Sequence, residues 1–123
     1  MQALCGAMLA CAEKKIPFYI DGFITATALA CAIAMNPAVR DYALPSHLSR
    51  EPGMAQALRL CGIDEYDVPI QAGLSLGEGT GAVLGVILMK TMMYAVCHMA
   101  TLDGINQEAQ DRYDRRKGDE TNG

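Results

Sequence analysis

The run Ile16-Pro17-Phe18-Tyr19-Ile20-Asp21-Gly22, passing straight into the Ala-rich stretch from Phe23 to Met35, decides the fold class. Uninterrupted apolar residues from Ile16 to Ile20 mark a strand covered on both faces of a parallel sheet, where no polar alternation is needed. Asp21-Gly22 turns the chain into a helix, and Asn36-Pro37 stops that helix because proline has no N–H to continue it. Upstream, Gln2 to Lys15 is rich in Ala, Leu and Met and reads as a helix, with Lys14-Lys15 in the last turn where cations suit the helix dipole. Downstream, Tyr42 to Pro45 reads as a second strand, Ser46-His47-Leu48-Ser49-Arg50-Glu51-Pro52-Gly53 as a polar loop, and Met54 to Leu60 as a helix ended by Cys61-Gly62. Tyr66 to Leu76 reads as a third strand with Val68, Ile70 and Leu74 inward, before Gly77-Glu78-Gly79-Thr80-Gly81 opens a long helix to about Met99. This alternation predicts an α/β fold: a partial parallel sheet with flanking helices, a fragment of a Rossmann-like doubly wound domain. Such a sheet has about five or six strands when complete, so three leave strand edges exposed.

With 123 residues the chain has room for one compact domain, and 51% apolar against 20% charged residues excludes wholesale disorder. A formal net charge of -4, from 10 Lys+Arg against 14 Asp+Glu, supplies no basic field for nucleic acid. With 2 Phe, 5 Tyr and no Trp, the core has to come from Ala, Leu, Ile, Val and the 8 Met, which implies closely approaching helices. Cys5, Cys11, Cys31, Cys61 and Cys97 have long spacings and no Cys-x-x-Cys, and the histidines His47 and His98 lie far apart. That pattern fits neither a disulfide framework nor a zinc site, and it reads as reduced, buried thiols of a cytoplasmic protein. Residues 79–102 hold a single charge, Lys90, and are long enough to span a bilayer. Lys90 at the centre would cost about 2.5–3.5 kcal/mol there, so the stretch reads as a buried soluble helix, with Met89, Met92, Met93 and Met99 in core packing. A small membrane protein is the alternative. Residues 103–123 carry ten charged side chains and no Val, Leu, Phe or Met, and read as a charged tail beyond the domain 1–102, disordered or a solvated helix.

Asp21-Gly22, the loop from Ser46 to Glu51, and Gly77-Glu78-Gly79 each follow a predicted strand. In open α/β sheets the ligand crevice lies at the carboxyl ends of the strands, so the three clusters can share one site. The glycines around Glu78 let backbone approach a ligand closely and present the carboxylate on a tight turn, or they are strand-to-helix punctuation with Thr80 as cap. Asp21 can cap the helix it precedes or accept hydrogen bonds from ribose hydroxyls. Ser46 and Ser49 can hold phosphate oxygen or shape the turn, and His98 reads as a core or helix-end histidine. The glycines match neither a Walker loop nor Gly-x-Gly-x-x-Gly.

Taken together, Ile16-Pro-Phe-Tyr-Ile-Asp-Gly-Phe-Ile24, Ser46-His-Leu-Ser49 with Glu51, and Leu76-Gly-Glu-Gly-Thr-Gly-Ala82 resemble the C-terminal part of the nicotinate-nucleotide:dimethylbenzimidazole phosphoribosyltransferase family. The resemblance runs over nearly all of Met1 to Leu102, in the family's order and approximate spacing. It implies transfer of phosphoribose from nicotinate mononucleotide to 5,6-dimethylbenzimidazole, giving α-ribazole 5′-phosphate and nicotinate, without metal or cofactor. It implies Glu78 as general base, with Asp21, Gly22, Ser49, Leu76 and Gly77 binding substrate. Ser75 stands where members commonly have Arg, and Met54 where many have His. The family's earlier part, with most of the base pocket and its phosphate loops, has no counterpart in this chain. The expected state is therefore a fragment inactive alone, with a non-catalytic subunit that completes a site with a separately encoded partner as the alternative. The partners implied are nicotinate mononucleotide, a benzimidazole base, and either a second copy, as in a full-length homodimer, or a complementing N-terminal part. Neither nucleic acid nor membrane is expected.

Overall fold

The computed structural model describes residues 1–75 and 77–121. The chain divides into two compact units, Met1–Lys90 and Thr91–Gly123.

In the first unit, α1 (Gln2–Glu13) packs on α2 (Phe23–Met35), which also packs on α3 (Met54–Leu60) and on a 3₁₀ helix at Pro37–Tyr42. Lys14 and Lys15 do not extend α1 as the sequence suggests. Lys15 takes a left-handed φ of 56°, and the Ile16 and Lys15 amides donate to the Cys11 and Ala12 carbonyls, at 2.9 and 3.1 Å, in a Schellman closure. Ala26, Ala28, Leu29 and Ala32 of α2 are fully buried, and their small volumes permit the close helix approach that a core poor in aromatics requires.

The sheet has two parallel strands, β1 (Phe18–Ile20) and β2 (Ala43–Pro45), registered Phe18 to Ala43, Tyr19 to Leu44 and Ile20 to Pro45. The partial parallel sheet with flanking helices is therefore present, but among the described residues the third strand expected at Tyr66–Leu76 is not. That segment begins as a 3₁₀ turn, Glu65–Asp67, and keeps one parallel bridge, His47 to Ile70, with Leu48 N–H donating to the Ile70 carbonyl at 2.8 Å. Pro69 has no N–H to offer a ladder, and Gly73, with a φ of 64°, turns the chain out of extended geometry. Of the residues expected inward, Val68 is buried, whereas Ile70 and Leu74 are only half-buried.

Helix α4 (Thr80–His98) is long and apolar enough to cross a membrane by length and composition. The expectation that it is buried is corrected. Only Gly81 and Gly85 are buried, at the two turns that touch the β1 end of the sheet, while Met89, Met92, Met93 and, just beyond the helix, Met99 are exposed. Ala82 and Leu88 are half-buried and the other residues of the helix are exposed. Two cysteines also depart from the expected burial: Cys5 and Cys61 are buried and Cys11 is half-buried, but Cys31 and Cys97 are exposed, and all five are free.

In the second unit, His98 sits at the end of α4 with its ring stacked on Tyr94, the centroids 4.0 Å apart, and its Nδ1 2.8 Å from the Tyr94 carbonyl. Residues Leu102–Thr121, left open between disorder and a solvated helix, form α5. Its exposed face carries Arg112 paired with Glu108 at 2.6 Å one turn apart.

Candidate functional site

Three loops converge where β1 and β2 end. Asp21, Gly22, Phe23, Ile24, Thr25, Glu51, Gly77, Glu78 and Gly79 line a single cleft of about 320 Å³. Of the residues picked out from sequence, Asp21, Gly22, Gly77 and Glu78 therefore come together. Ser49 does not reach the lining: it is buried, and its hydroxyl accepts from the Glu51 amide at 3.3 Å, which shapes the turn carrying Glu51. Leu76 lies outside the described residues.

Each carboxylate in the cleft has a distinct place. Glu51 reaches across to the start of α2, where its Oε2 accepts from the Phe23 amide at 3.2 Å and so satisfies one of the unpaired N–H groups of that helix end. Thr25 serves the same end, its hydroxyl accepting from the Asp21 and Gly22 amides at 2.9 and 3.0 Å and donating to the Gly22 carbonyl at 2.8 Å. With its own helix start served by these two side chains, Asp21 does not cap α2. Its carboxylate crosses to α4, Oδ2 accepting from Gly79 N–H at 3.1 Å and Oδ1 from Ala82 N–H at 2.9 Å. Glu78 is exposed at the rim with a φ of 61°, next to Gly79 at 83°. A left-handed non-glycine residue costs on the order of 1–2 kcal/mol, so the turn that presents Glu78 persists only because its surroundings hold it.

Behind Asp21 stands His47, which the sequence places only in a polar loop. Its ring is buried, with Nδ1 3.9 Å from Asp21 Oδ1 and 3.2 Å from Ser46 Oγ. Ser46 Oγ donates its single proton to the Ile20 carbonyl at 2.7 Å, so the hydrogen-bond network assigns the other proton to His47 Nδ1, which donates to Ser46. His47 Nε2 is buried and without a partner among the described residues. The imidazole occupies the space where a side chain on Gly81 would stand, and Tyr19 does the same at Gly85 while donating its hydroxyl to the Gly85 carbonyl at 3.1 Å. Those two glycines let α4 lie against the loop ends. The signal for them was present as Gly81-x-x-x-Gly85, but nothing local in the sequence says which rings they admit.

The cleft is acidic. Among the described residues its lining carries Asp21, Glu51 and Glu78 and no Lys, Arg or His. No three His, Cys, Asp or Glu groups among the described residues converge to hold a metal ion. Such a lining attracts groups that are cationic or that donate N–H and O–H, and repels phosphate.

A protein-family model described as "Phosphoribosyltransferase" matches residues 1–106. A nicotinate-nucleotide--dimethylbenzimidazole phosphoribosyltransferase from Desulforudis audaxviator is 41% identical over 111 residues, which is 89% of this chain and 31% of that protein. Its namesake from Clostridioides difficile is 36% identical over 104 residues, 85% of this chain and 29% of that protein. The crystal structure of nicotinate-nucleotide-dimethylbenzimidazole phosphoribosyltransferase from Thermus thermophilus superposes with a TM-score of 0.73 at 36% identity, covering 85% of this chain and 30% of that one. The chain thus spans about 30% of the length of the proteins it resembles.

Proposed function

The chain belongs to this phosphoribosyltransferase family, and from that premise we propose that it contributes the general-base side of a site transferring phosphoribose from nicotinate mononucleotide to 5,6-dimethylbenzimidazole. One benzimidazole nitrogen attacks ribose C1′ with its lone pair. The bond from C1′ to nicotinate breaks, and the pair returns to the pyridine nitrogen, cancelling its positive charge. The benzimidazolium so formed loses the proton on its other nitrogen to Glu78, leaving α-ribazole 5′-phosphate. Asp21, Gly22, Ser49, Leu76 and Gly77 belong to the substrate side in this reading, with Ser49 acting through the turn of Glu51.

The observation that carries the proposal is the presentation of Glu78 between two glycines, on a left-handed turn at the rim of the acidic cleft. Three carboxylates favour the positive charge that develops at C1′ as nicotinate leaves. The same charge argues that the 5′-phosphate is gripped elsewhere, and two of the amides at the start of α4 already serve Asp21. A base with no phosphate cradle among the described residues favours a complement, and so does the exposed apolar surface of α4. The family match runs through the whole of that helix, so we read it as a face for further polypeptide of this fold, supplied by a complementing chain or a second copy, in the cytoplasm and not in a bilayer.

The test mixes this chain with the part of the Desulforudis audaxviator relative that it lacks, adds nicotinate mononucleotide and dimethylbenzimidazole, and measures α-ribazole phosphate by mass spectrometry. Product is expected from the mixture and little or none from this chain alone. Glu78→Gln is expected to lower turnover by about 10²–10⁴-fold with nucleotide binding retained. A folded, nucleotide-binding mixture that makes no product, or full turnover by the Glu78→Gln variant, would overturn the reading.

A further inference from the structure

We infer that Asp21 is a positioning residue for Glu78: its carboxylate ties down the Gly77-Glu78-Gly79 turn and the first turn of α4 together, and His47 braces it from behind. This rests on Glu78 being the functional carboxylate, and it assigns Asp21 a task that substrate binding alone does not describe.

Both Asp21 oxygens are committed, one to the amide just after Glu78 and one to the amide of Ala82, three residues further on. The turn itself contributes a local lock, Thr80 Oγ1 donating to the Gly77 carbonyl at 3.0 Å. That lock travels with the turn, however, whereas Asp21 lies at the end of β1 and so ties the turn to the sheet. Asp21 cannot swing freely. Its own N–H is held by Thr25 Oγ1, and the His47 ring fills the space between it and Gly81. The ring is in turn fixed through Ser46 to the Ile20 carbonyl, the residue immediately before Asp21. The chain from Ile20 through Ser46 and His47 to Asp21 closes on itself, and Glu78 inherits its orientation from that closed set. An aspartate is better suited than an asparagine, because two N–H donors face two oxygens and an amide would turn a donor toward one of them.

The test is amide hydrogen exchange and NMR of Glu78 in the full 123-residue chain. Gly79 and Ala82 amides are expected to be protected in the wild type. In Asp21→Asn one or both should exchange roughly tenfold faster or more, with the Glu78 Cα and carboxyl carbon resonances displaced and the Leu29 and Leu58 core amides unchanged. Glu51→Gln removes an equal charge from the same cleft without touching the turn, and should leave Gly79 and Ala82 exchange as it was. Should Asp21→Asn fail to fold, Ala82→Pro replaces it: proline is tolerated in a first helical turn, deletes one donor and leaves the carboxylate intact, and should displace the same Glu78 resonances. Unprotected Gly79 and Ala82 amides in the wild type, or a Glu78 signature as sensitive to Glu51→Gln as to Asp21→Asn, would overturn the inference. Either result leaves the general-base reading to be decided separately by the turnover of Glu78→Gln.

Discussion

Gly81→Ala puts one methyl group where the structure has no room for it. An ideal Cβ there would collide with His47 Nδ1 and Cε1 and come within 2.8 Å of Asp21 Oδ1. Two relaxations are open. If α4 lifts away, the bonds from Gly79 and Ala82 to the Asp21 carboxylate are lost, at about 1.5–3 kcal/mol each for hydrogen bonds to a charged group. If the buried imidazole yields instead, the cost is an overpacking penalty of about 1–3 kcal/mol plus a neutral hydrogen bond to Ser46 worth about 1 kcal/mol. Alanine returns about 0.8–1.0 kcal/mol of helix propensity in both cases. The cheaper route sets the outcome, so Gly81→Ala should destabilise the chain by about 1–3 kcal/mol with the ring displaced and α4 still docked. Gly6→Ala is the matched control: it lies inside α1 with nothing within 4 Å of its would-be Cβ, and should stabilise by about 0.5–1 kcal/mol. Urea unfolding followed by circular dichroism reads both. If Gly81→Ala were as stable as Gly6→Ala, the ring would not lie under the helix start and the bracing of Asp21 would be wrong.

Thiol chemistry gives a second check, because Cys31 and Cys97 are exposed while Cys5 and Cys61 are buried: a maleimide under native conditions should label the first two fast and the second two only on unfolding. Burial pushes the Cys61 thiol up from 9.0 to about 11, against a weaker lowering by Arg40 and with a small further rise from Cys31. The folded chain thus holds that proton more tightly than the unfolded chain does. Its contribution to stability is complete below about pH 9 and is lost as pH rises through about 11, so Cys61→Ser should flatten the alkaline limb of a stability–pH profile. The bare surface of α4 predicts self-association of the isolated chain at rising concentration in sedimentation velocity, reduced when the exposed Val83 and Met93 are replaced by Lys; a monomer at all concentrations would count against an apolar docking face.

Which features can be read from the sequence follows from how far away their causes lie. Helices α2 and α3 begin and end where the sequence places them, Phe23–Met35 and Met54–Leu60, because Asn36-Pro37 and Cys61-Gly62 terminate them by local chemistry. The meeting of the first two loops is legible too, since it needs only the rule that parallel strands point the same way; the Gly77–Gly79 loop joins them although the segment before it keeps one bridge in place of the expected strand. Capping of α2, one of the two roles the sequence allows Asp21, falls instead to Thr25 and Glu51, and no local pattern reveals that Glu51 reaches the Phe23 amide. His47 escapes a sequence reading for the same reason: its importance lies in the absent side chain of Gly81, a contact set by how α4 docks. The largest departures concern α4 and the Tyr66–Leu76 segment, where Pro69 and Gly73 interrupt the strand locally. Both are patterned for burial, and apolar pattern states what a segment requires without stating whether this chain supplies it. Val68 finds its cover while Val83, Met92 and Met93 do not. In the proposed reading the bare apolar residues of α4 are a docking face, and the acidic cleft lies at the start of that same helix.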